Sequence, residues 1–364
     1  MTVSEQFLGP TTTRALASSR AVRLVRNAVL KPILARGIPS VDPWLREFGP
    51  DLIFFCGGDA TYLYPLVEKI ADDFDTPIVF YITDDYVLPS PSDGPLARLS
   101  KSIVRSNLVR LCARSALTLT IGQKMTDVYS ARLGINSRPL MNLVSVPEAR
   151  LSVVARAPTD RVVLCYAGGL HLQRWKVLAQ IGASLDRNAA RGVCGELHIY
   201  TATPLSRRMS RELSRHTSIT LHESASPSVL ATIYEGADLL VHVESFRVRD
   251  RASTFLSVST KIPEYLAAGR SILAVGPPEV ASIEYLAKTG SAFVCGSLED
   301  VALDRVVSAA ISDKDARERR ADVGRAVAAR NHGAARARRR LWRDFIEVTR
   351  TNRVPRSSTL DTTG

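Results

Sequence analysis

The sequence predicts an α/β protein of two domains, each built on a doubly wound parallel β-sheet. Its 364 residues are enough for two domains that each bury a core of their own. Short apolar stretches alternate with longer amphipathic ones along most of the chain, which is the pattern of strand–helix–strand units. Residues 142–160 interrupt this alternation with Pro147, Pro158 and little amphipathic order. We therefore expect the link between the domains there.

The elements of the first domain, predicted over residues 1–150, end at turn-forming residues. Such residues stand at Gly57-Gly58 and at Thr83-Asp84-Asp85, and the Pro/Ser-rich segment 88–95 predicts a loop. The predicted strands are 51–56, 76–81, 116–121 and 138–141, and the predicted helices are 61–72, one that ends near 114, and 123–133.

A second alternating series predicts a domain over residues 151–312. Its predicted strands lie near 162–167, 196–201, 219–222, 238–243, 271–275 and 291–295, with helices between them. Arg-rich helices are expected over 313–349. The polar residues 350–364 are expected to form a disordered tail.

The net charge of +12 is concentrated at the two ends of the chain. Residues 1–41 contain six basic groups and one acidic group, and residues 305–356 contain fifteen basic and six acidic groups. No nucleic-acid motif and no series of aromatic residues for base stacking accompanies them, so nucleic acid is not an expected partner.

An anionic membrane surface fits the N-terminal charge better. Residues 12–36 can form a basic helix with an apolar stripe, which is typical of helices that lie on a membrane. The stripe contains Val22, Val25, Val29 and Ile33, whereas Arg20, Arg23 and Lys31 lie elsewhere on the helix. The alternative is an arginine-rich solvated surface, and the sequence favours neither.

The location and redox state follow from absences in the sequence. No run of about 18 uncharged apolar residues predicts a membrane span, and no basic-then-apolar signal stands at the N-terminus. We expect a cytoplasmic protein, peripheral on the inner face of the plasma membrane if the basic helix binds it.

The five cysteines are odd in number and lack CxxC spacing, so we expect reduced core residues and neither disulfides nor zinc ligands.

Residues 260–274 predict a short helix followed by a buried strand. Ser259 or Thr260 can cap the helix, Pro263 suits its first turn, and Gly269 suits its end. The start of a helix offers free N–H groups to a phosphate, and Glu264 can accept hydrogen bonds from both hydroxyls of a ribose. The segment therefore predicts a sugar-nucleotide site.

Other candidates follow the predicted strands of the second domain, because parallel sheets bind ligands beyond the carboxyl ends of their strands. Gly168-Gly169 would let a pyrophosphate approach the backbone and Arg174 would neutralise it, although a glycine-rich turn with a solvated arginine is the alternative. His171 follows the glycine pair. Glu244-Ser245 ends another strand, in which His242 is interpreted as a core residue.

Several short motifs occur in a specific order within residues 160–330. They are Tyr166-Ala167-Gly168-Gly169-Leu170 with Arg174, Ala237-Asp238-Leu239-Leu240-Val241 with Glu244-Ser245, Lys261-Ile262-Pro263-Glu264-Tyr265-Leu266-Ala267-Ala268-Gly269, and Gly276-Pro277-Pro278. The series resembles the donor-binding domain of GT-B glycosyltransferases, closest to family 4 and its relatives. Residues 48–141 resemble the acceptor-side domain more loosely. The resemblance implies two Rossmann-like domains facing a cleft, the N-terminal one shortened because its first strand and glycine-rich loop have no counterpart.

The resemblance also implies a donor site. Arg174 and Lys261 would contact the diphosphate, and Glu264 would be the second carboxylate of a Glu-x7-Glu pair that binds the ribose. Leu256 stands where the first is expected, so Glu244 is expected to serve instead, as a donor-binding and catalytic carboxylate. Thr201, His222 and Glu223 would border the base, and Ser245 would lie beside the donor. The nucleotide-diphosphate sugar is a co-substrate, and neither a cofactor nor a metal is implied.

Asp84 and Asp85 stand where relatives often have a histidine beside the acceptor. Either could orient or deprotonate an acceptor hydroxyl. They could instead hold a divalent ion, or Asp85 could cap a turn while Asp84 is solvated. Asp59, after Gly57-Gly58, is interpreted as a helix N-cap in preference to an acid.

The implied activity is that of a hexosyl-type, retaining glycosyltransferase. It would act on a glycan or lipid-linked acceptor in the synthesis of bacterial surface polysaccharide or glycolipid. A sugar-nucleotide 2-epimerase of the same fold and a non-catalytic nucleotide-sugar-binding module remain alternatives.

Overall fold

The structure, a computed structural model, describes residues 20–145 and 161–353. The chain divides into two compact units, passing from the first to the second after Leu140 and returning after Arg338. The predicted link at 142–160 falls mostly outside the described residues, as do positions 12–19 of the predicted basic helix and the tail from 354 onward.

The first unit contains a four-stranded parallel sheet. Its strands are β1 (Ile53–Gly57), β2 (Ile78–Ile82), β3 (Leu117–Thr120) and β4 (Arg138–Pro139), adjacent in that order. Its helices are α1 (Arg20–Leu34), α2 (Asp42–Phe48), α3 (Leu63–Phe74), α4 (Pro95–Arg114) and α5 (Gln123–Leu133).

The second unit contains a six-stranded parallel sheet in the order β10-β9-β8-β5-β6-β7. The strands are β5 (Val162–Ala167), β6 (Gly195–Thr201), β7 (Ile219–Glu223), β8 (Leu239–Val243), β9 (Ser271–Val275) and β10 (Ala292–Cys295). The helices are α6 (Arg174–Ala189), α7 (Arg207–Leu213), α8 (Pro227–Gly236), α9 (Val248–Thr254), α10 (Lys261–Ala267), α11 (Ala281–Thr289), α12 (Asp300–Ser312) and α13 (Lys314–Val327), followed by a π-helix (Ala328–His332) and α14 (Ala334–Arg353).

Alternating residues of the second sheet face two separate cores. Leu164 and Leu197 belong to one core with Leu178 of α6, whereas Cys165 lies in the other with Tyr265 of α10. Helices therefore cover both faces, as the doubly wound prediction requires. The strand order reverses between β8 and β5, and open α/β sheets bind ligands at such a reversal.

The two faces of the first sheet are covered by different parts of the chain. Tyr64 of α3 packs edge-on against Phe55 and Phe80 on one face, and Phe345 of α14 lies 5.9 Å from Phe54 on the other, measured between ring centroids. The second half of α14 thus belongs to the first unit, because its apolar residues cover this sheet. The sequence pattern had predicted a separate helical segment over 313–349.

All five cysteines are free thiols. Cys165 and Cys295 are buried, as expected of core residues. The prediction is wrong for Cys56, which is exposed because it lies on the edge strand β1. Among the described residues, no helix is long and apolar enough to cross a bilayer.

Candidate functional site

The loop after β5 passes directly beneath a lysine of another element. A Cβ atom at Gly168 would collide with Nζ of Lys261, and one at Gly169 would collide with the ring of His171. Only glycine allows these close approaches. A side chain at either position would displace the end of Lys261 or the ring of His171, so the glycine pair keeps these two side chains against the loop.

Hydrogen bonds hold this loop in place. The hydroxyl of Tyr166 donates to the carbonyl oxygen of Gly169 over 2.7 Å, and the N–H of Leu170 donates to Oγ1 of Thr203 over 3.0 Å. Thr203 is in turn linked to the end of β6, because its N–H donates to Oγ1 of Thr201 over 3.1 Å. The loop and the ends of two strands therefore form one hydrogen-bonded unit.

The entry into α6 is strained. Leu172 and Gln173 have φ angles of +55° and +60°, in the left-handed region that residues other than glycine rarely adopt. Arg174 follows as the first residue of α6. Its side chain reaches Glu244, the residue after β8, which neighbours β5 in the sheet.

Arg174 forms a buried ion pair with Glu244. Its Nη2 lies 3.1 Å from Oε2 of Glu244, and the two side chains are 14% and 2% exposed. The other carboxylate oxygen lies 3.3 Å from Nε2 of His242. This nitrogen is buried and has no hydrogen-bond partner within the described part of the chain. Nη1 of Arg174 lies 3.3 Å from Nε2 of His171. Glu244 thus holds the guanidinium in position.

The ion pair keeps Glu244 charged despite its burial. Burial by itself raises the pKa of Glu244, but His242 and Arg174 lower it by more, so the pKa lies below its usual range. The carboxylate is therefore negative at neutral pH. Both of its oxygens already face protein groups, which suits a positioning residue better than a ribose ligand.

Lys261 is the other cation of the cluster. Burial is the largest cause that lowers its pKa, Arg174 lowers it further, and Glu264 and Glu244 oppose the shift. Its Nζ lies 5.9 Å from the centre of the Tyr166 ring. None of the carboxylates that the structure describes lies within 4 Å of this nitrogen. Lys261 is therefore a half-buried ammonium without a paired carboxylate in the part of the chain that the structure describes.

The short helix α10 holds Lys261 and Glu264. It is fixed to the end of β5 by the buried Tyr265, whose hydroxyl accepts a hydrogen bond from the N–H of Ala167 over 3.3 Å. Glu264 is exposed, and partial burial of its carboxyl raises its pKa while Lys261 opposes this. The helix ends as predicted at Gly269, with a φ of +68°.

The start of α10 differs from the expected cap. Thr260 precedes the helix without a side-chain hydrogen bond, and Oγ of Ser259 accepts only a long 3.5 Å bond from the N–H of Lys261. The helix also has only seven residues. Phosphate binding at its N-terminus stays a prediction, and the side chain of Lys261 is the better-supported anion ligand.

The remaining donor candidates lie at or just after the carboxyl ends of β6, β7 and β8. Thr201 and Glu223 are register partners at the carboxyl ends of β6 and β7. The ring of His222 stacks on Tyr200 and lies 2.8 Å from Nδ1 of His198, so it belongs to a row of rings on the sheet. Ser245 is buried and donates to Asp250 over 3.0 Å. Its hydroxyl thus stabilises the following loop.

The acceptor-side candidates belong to the first unit and are described by themselves. Oδ1 of Asp85 accepts hydrogen bonds from the N–H groups of Val87 and Leu88 and from the hydroxyl of Tyr129, at 3.0, 3.1 and 3.0 Å. Asp85 therefore caps the turn after β2, as the alternative interpretation predicted. Its catalytic role stays an untested prediction. Asp84 is exposed and interacts with Tyr86.

Asp59 does not cap a helix. Tyr62 is the residue before α3, and the carboxylate of Asp59 lies 3.4 Å from Nε of Arg23. The N-cap interpretation is wrong because α3 begins later than residue 61, at Leu63. Asp59 instead attaches α1 to the unit.

Sequence reasoning missed three residues of the site. Tyr166 and Thr203 fix the glycine loop, and His242, interpreted as a core residue, lies beside the buried Glu244. The signal for His242 was present, since residues two apart in extended chain share a face and Glu244 directly follows His242-Val243 at the end of β8. Nothing in the sequence indicated which residue Thr203 would contact, because it lies 33 residues from Leu170.

No protein-family model matches the sequence, and no curated protein matches it. Solved structures do. An α,α-trehalose-6-phosphate synthase from Burkholderia multivorans matches with a TM-score of 0.62 and 14% identity, over 89% of this chain and 77% of that one. A sucrose-phosphate synthase from Thermosynechococcus elongatus matches with a TM-score of 0.62 and 12% identity, over 88% and 78%. HepE from Anabaena, solved with UDP and glucose, matches with a TM-score of 0.59 and 13% identity, over 86% and 82%.

These proteins have the GT-B fold, and the likeness shows that this chain has it too. The two Rossmann-like parallel-sheet units predicted from the sequence are thereby confirmed. At such low identity the likeness concerns the fold alone and does not single out family 4.

Proposed function

We propose that this protein is a glycosyltransferase that moves a hexosyl group from a nucleotide-diphosphate sugar to a hydroxyl acceptor. The observation that carries the proposal is the half-buried ammonium of Lys261 against Gly168, without a carboxylate within 4 Å among the described residues. A buried cation is costly unless an anion joins it. A diphosphate at the carboxyl edge of β5 and β8 would supply that anion.

The neighbouring groups suit the rest of such a donor. Arg174 is held by Glu244 and retains N–H groups that can bind a second phosphate oxygen. Glu264 is exposed one helical turn from Lys261 and can accept hydrogen bonds from the ribose hydroxyls. Thr201 and Glu223, at the ends of the next strands, are proposed to border the base.

In the proposed reaction, the bond between the anomeric carbon and the diphosphate oxygen breaks, and a bond to the acceptor oxygen forms. The electron pair leaves with the nucleoside diphosphate, whose growing charge Arg174 and Lys261 stabilise. The acceptor proton passes to a base or to the departing phosphate. Retention of the anomeric configuration is proposed by analogy with the family the motifs resemble.

We propose a glycan or lipid-linked acceptor, in bacterial surface polysaccharide or glycolipid synthesis. Asp84, exposed after β2, is our candidate for orienting its hydroxyl. Trehalose-phosphate and sucrose-phosphate synthases pair the same fold with sugar acceptors, which supports a sugar hydroxyl as the nucleophile.

Calorimetric titration with UDP and a panel of nucleotide-diphosphate sugars tests the donor site. UDP comes first because HepE was solved with it. Lys261→Ala and Glu264→Ala should each weaken binding at least about tenfold, the loss of one charge-assisted contact. Lys314→Ala and Glu299→Ala, which remove exposed charges elsewhere in the second unit, should bind like the wild type. Equal binding by all five proteins would overturn the proposal.

The same panel separates the alternatives. Conversion of a single sugar nucleotide to its epimer, without any acceptor, would identify a 2-epimerase. Tight donor binding without transfer to any cell-envelope acceptor would identify a binding module. Transfer that Glu264→Ala abolishes would exclude the binding module.

A further inference from the structure

Helix α1 is attached to the first unit through its polar side chains. Asn27 donates to the carbonyl oxygen of Asp59 over 2.8 Å, and Lys31 donates to Oδ1 of Asn107 over 3.0 Å. Arg23 forms its ion pair with the side chain of Asp59. The polar groups that normally face water on a surface helix therefore face the protein here.

The opposite face of α1 is apolar and exposed. Val25, Val29 and Ile33 are 63%, 55% and 52% exposed and follow one another at spacings of four residues. The exposed positions between residues 21 and 33 contain no charged or polar side chain; they are Ala21, Val22, Val25, Ala28, Val29, Pro32 and Ile33. The apolar stripe predicted from the sequence is thus confirmed, whereas Arg23 and Lys31 bind the protein itself.

The charged side chains of α1 and of the neighbouring helix α4 are all basic, although Arg23, Lys101, Arg110 and Arg114 pair with carboxylates of other elements. Helix α4 packs beside α1, and neither helix contains an acidic residue, although together they contain nine basic ones. On α4, Leu96 and Leu99 are exposed together with Arg98 and Arg105. Exposed aliphatic side chains interspersed with arginines are the chemistry that an anionic lipid surface recognises.

The next helix adds exposed aromatic side chains. Trp44 and Phe48 of α2 are exposed and stack on each other, with ring centroids 5.3 Å apart. Tryptophan is enriched where protein meets the headgroup region of a bilayer. A second apolar feature therefore lies close to α1 in the chain.

The area of the apolar stripe favours a bilayer over a second copy of the chain. A helix of 15 residues is about 22 Å long and its exposed stripe about 10 Å wide, so the stripe offers a few hundred Å². A stable dimer buries about 800 Å² of each partner. A shallow contact with the acyl boundary of a membrane needs no such area.

We propose that the exposed face of α1, with Arg98 and Arg105 of α4, docks the protein on an anionic membrane surface. The aliphatic side chains enter the acyl boundary and the two arginines contact lipid phosphates. The proposal does not rest on the catalytic assignment, because the docking face would bind lipid without any nucleotide sugar.

Co-sedimentation with lipid vesicles tests the proposal. We expect the full chain to bind vesicles of phosphatidylcholine with about 30% phosphatidylglycerol and to bind pure phosphatidylcholine less. Val25→Asp/Val29→Asp should reduce binding at least about tenfold, because two carboxylates would have to enter the acyl boundary. Arg98→Gln/Arg105→Gln should remove the preference for the anionic vesicles.

The control is Val301→Asp, which adds one carboxylate at an 84% exposed valine on α12 of the second unit and should bind like the wild type. Absence of vesicle binding by the wild type would overturn the proposal. So would a dimer, seen by light scattering, that Val25→Asp/Val29→Asp separates, since a second copy would then cover the face. If the wild type did not bind vesicles and Val25→Asp/Val29→Asp lowered the thermal stability, the result would indicate that residues 1–19 pack on the apolar face of α1.

Discussion

Arg174 and Glu244 meet 3.1 Å apart although they are 70 residues apart in the sequence. The guanidinium is 14% exposed and the carboxylate 2%, so the acid is the more deeply buried partner. The ion pair therefore serves two purposes: it neutralises a buried charge and it aims a cation toward the loop at Gly168.

This asymmetry predicts how the two residues respond to substitution. Arg174→Met leaves the buried carboxylate unpaired and should cost about 3 kcal/mol of unfolding free energy, the lower end of the range for breaking a buried pair. Adding Glu244→Gln removes the stranded charge, so the double variant should be more stable than Arg174→Met alone. Urea denaturation of the two single variants and the double variant measures this coupling. Strictly additive losses would show that the pair is not coupled.

Gly168→Ala should weaken donor binding while leaving the fold nearly intact. The new methyl group would collide with the ammonium end of Lys261, which is flexible enough to move away but would then leave the diphosphate. We expect about a tenfold loss of UDP affinity by calorimetry. Gly236→Ala is the control, because no atom lies within 4 Å of its added methyl group.

A thermodynamic cycle with Lys261→Ala makes that prediction specific. If the methyl group acts through Lys261, Gly168→Ala should have little further effect on UDP affinity in the Lys261→Ala background. A second tenfold loss there would mean that the methyl group blocks the ligand directly.

The buried His332 predicts a loss of stability in mild acid. Its Nδ1 donates to the carbonyl oxygen of Asn142 over 2.8 Å, its Nε2 accepts from the hydroxyl of Tyr285 over 2.9 Å, and burial lowers its pKa below the ordinary 6.5. A depressed pKa means that the unfolded chain binds the proton first. The contribution is therefore complete above pH 6.5 and is lost as the pH falls below it.

The measurement is the urea midpoint of the wild type and of His332→Gln from about pH 7 to about pH 5. The wild type should lose stability more steeply than the variant over this interval. Parallel curves would show that other groups account for the acid sensitivity.

The cysteines should differ widely in reactivity. Cys56 is exposed, whereas burial raises the pKa of Cys112 and of Cys165 to about 12. Iodoacetamide at neutral pH should alkylate Cys56 first, and mass spectrometry should find Cys112 and Cys165 modified only after denaturation. Cys56→Ser should remove the fast reaction. Labelling of Cys165 as fast as Cys56 would contradict the burial described for β5.

The strand predictions succeeded because strands buried on both faces consist of continuous runs of apolar residues, which are easily recognised in the sequence. The strands predicted at 162–167 and 271–275 have the same bounds as β5 and β9. The end of α10 was equally readable, since Gly269 takes up a positive φ that other residues avoid.

The hydrogen-bond partners of single polar residues could not be predicted from the sequence pattern. Asp85 looked like a candidate base, yet two N–H groups and a tyrosine hydroxyl occupy one of its oxygens. Ser245 looked like a ligand, yet its hydroxyl serves the loop that follows it.

The α/β class, the ten strands that the structure describes, the glycine pair and the apolar stripe of α1 could all be predicted from sequence, because each depends on local periodicity or on a residue with special backbone freedom. Three facts came only from the three-dimensional arrangement: Glu244 pairs with Arg174, no carboxylate of residues 20–145 and 161–353 pairs with Lys261, and α1 turns its apolar face outward. Those facts depend on which groups meet across the sheet or between helices, and periodicity shows only that a face is apolar, never what covers it.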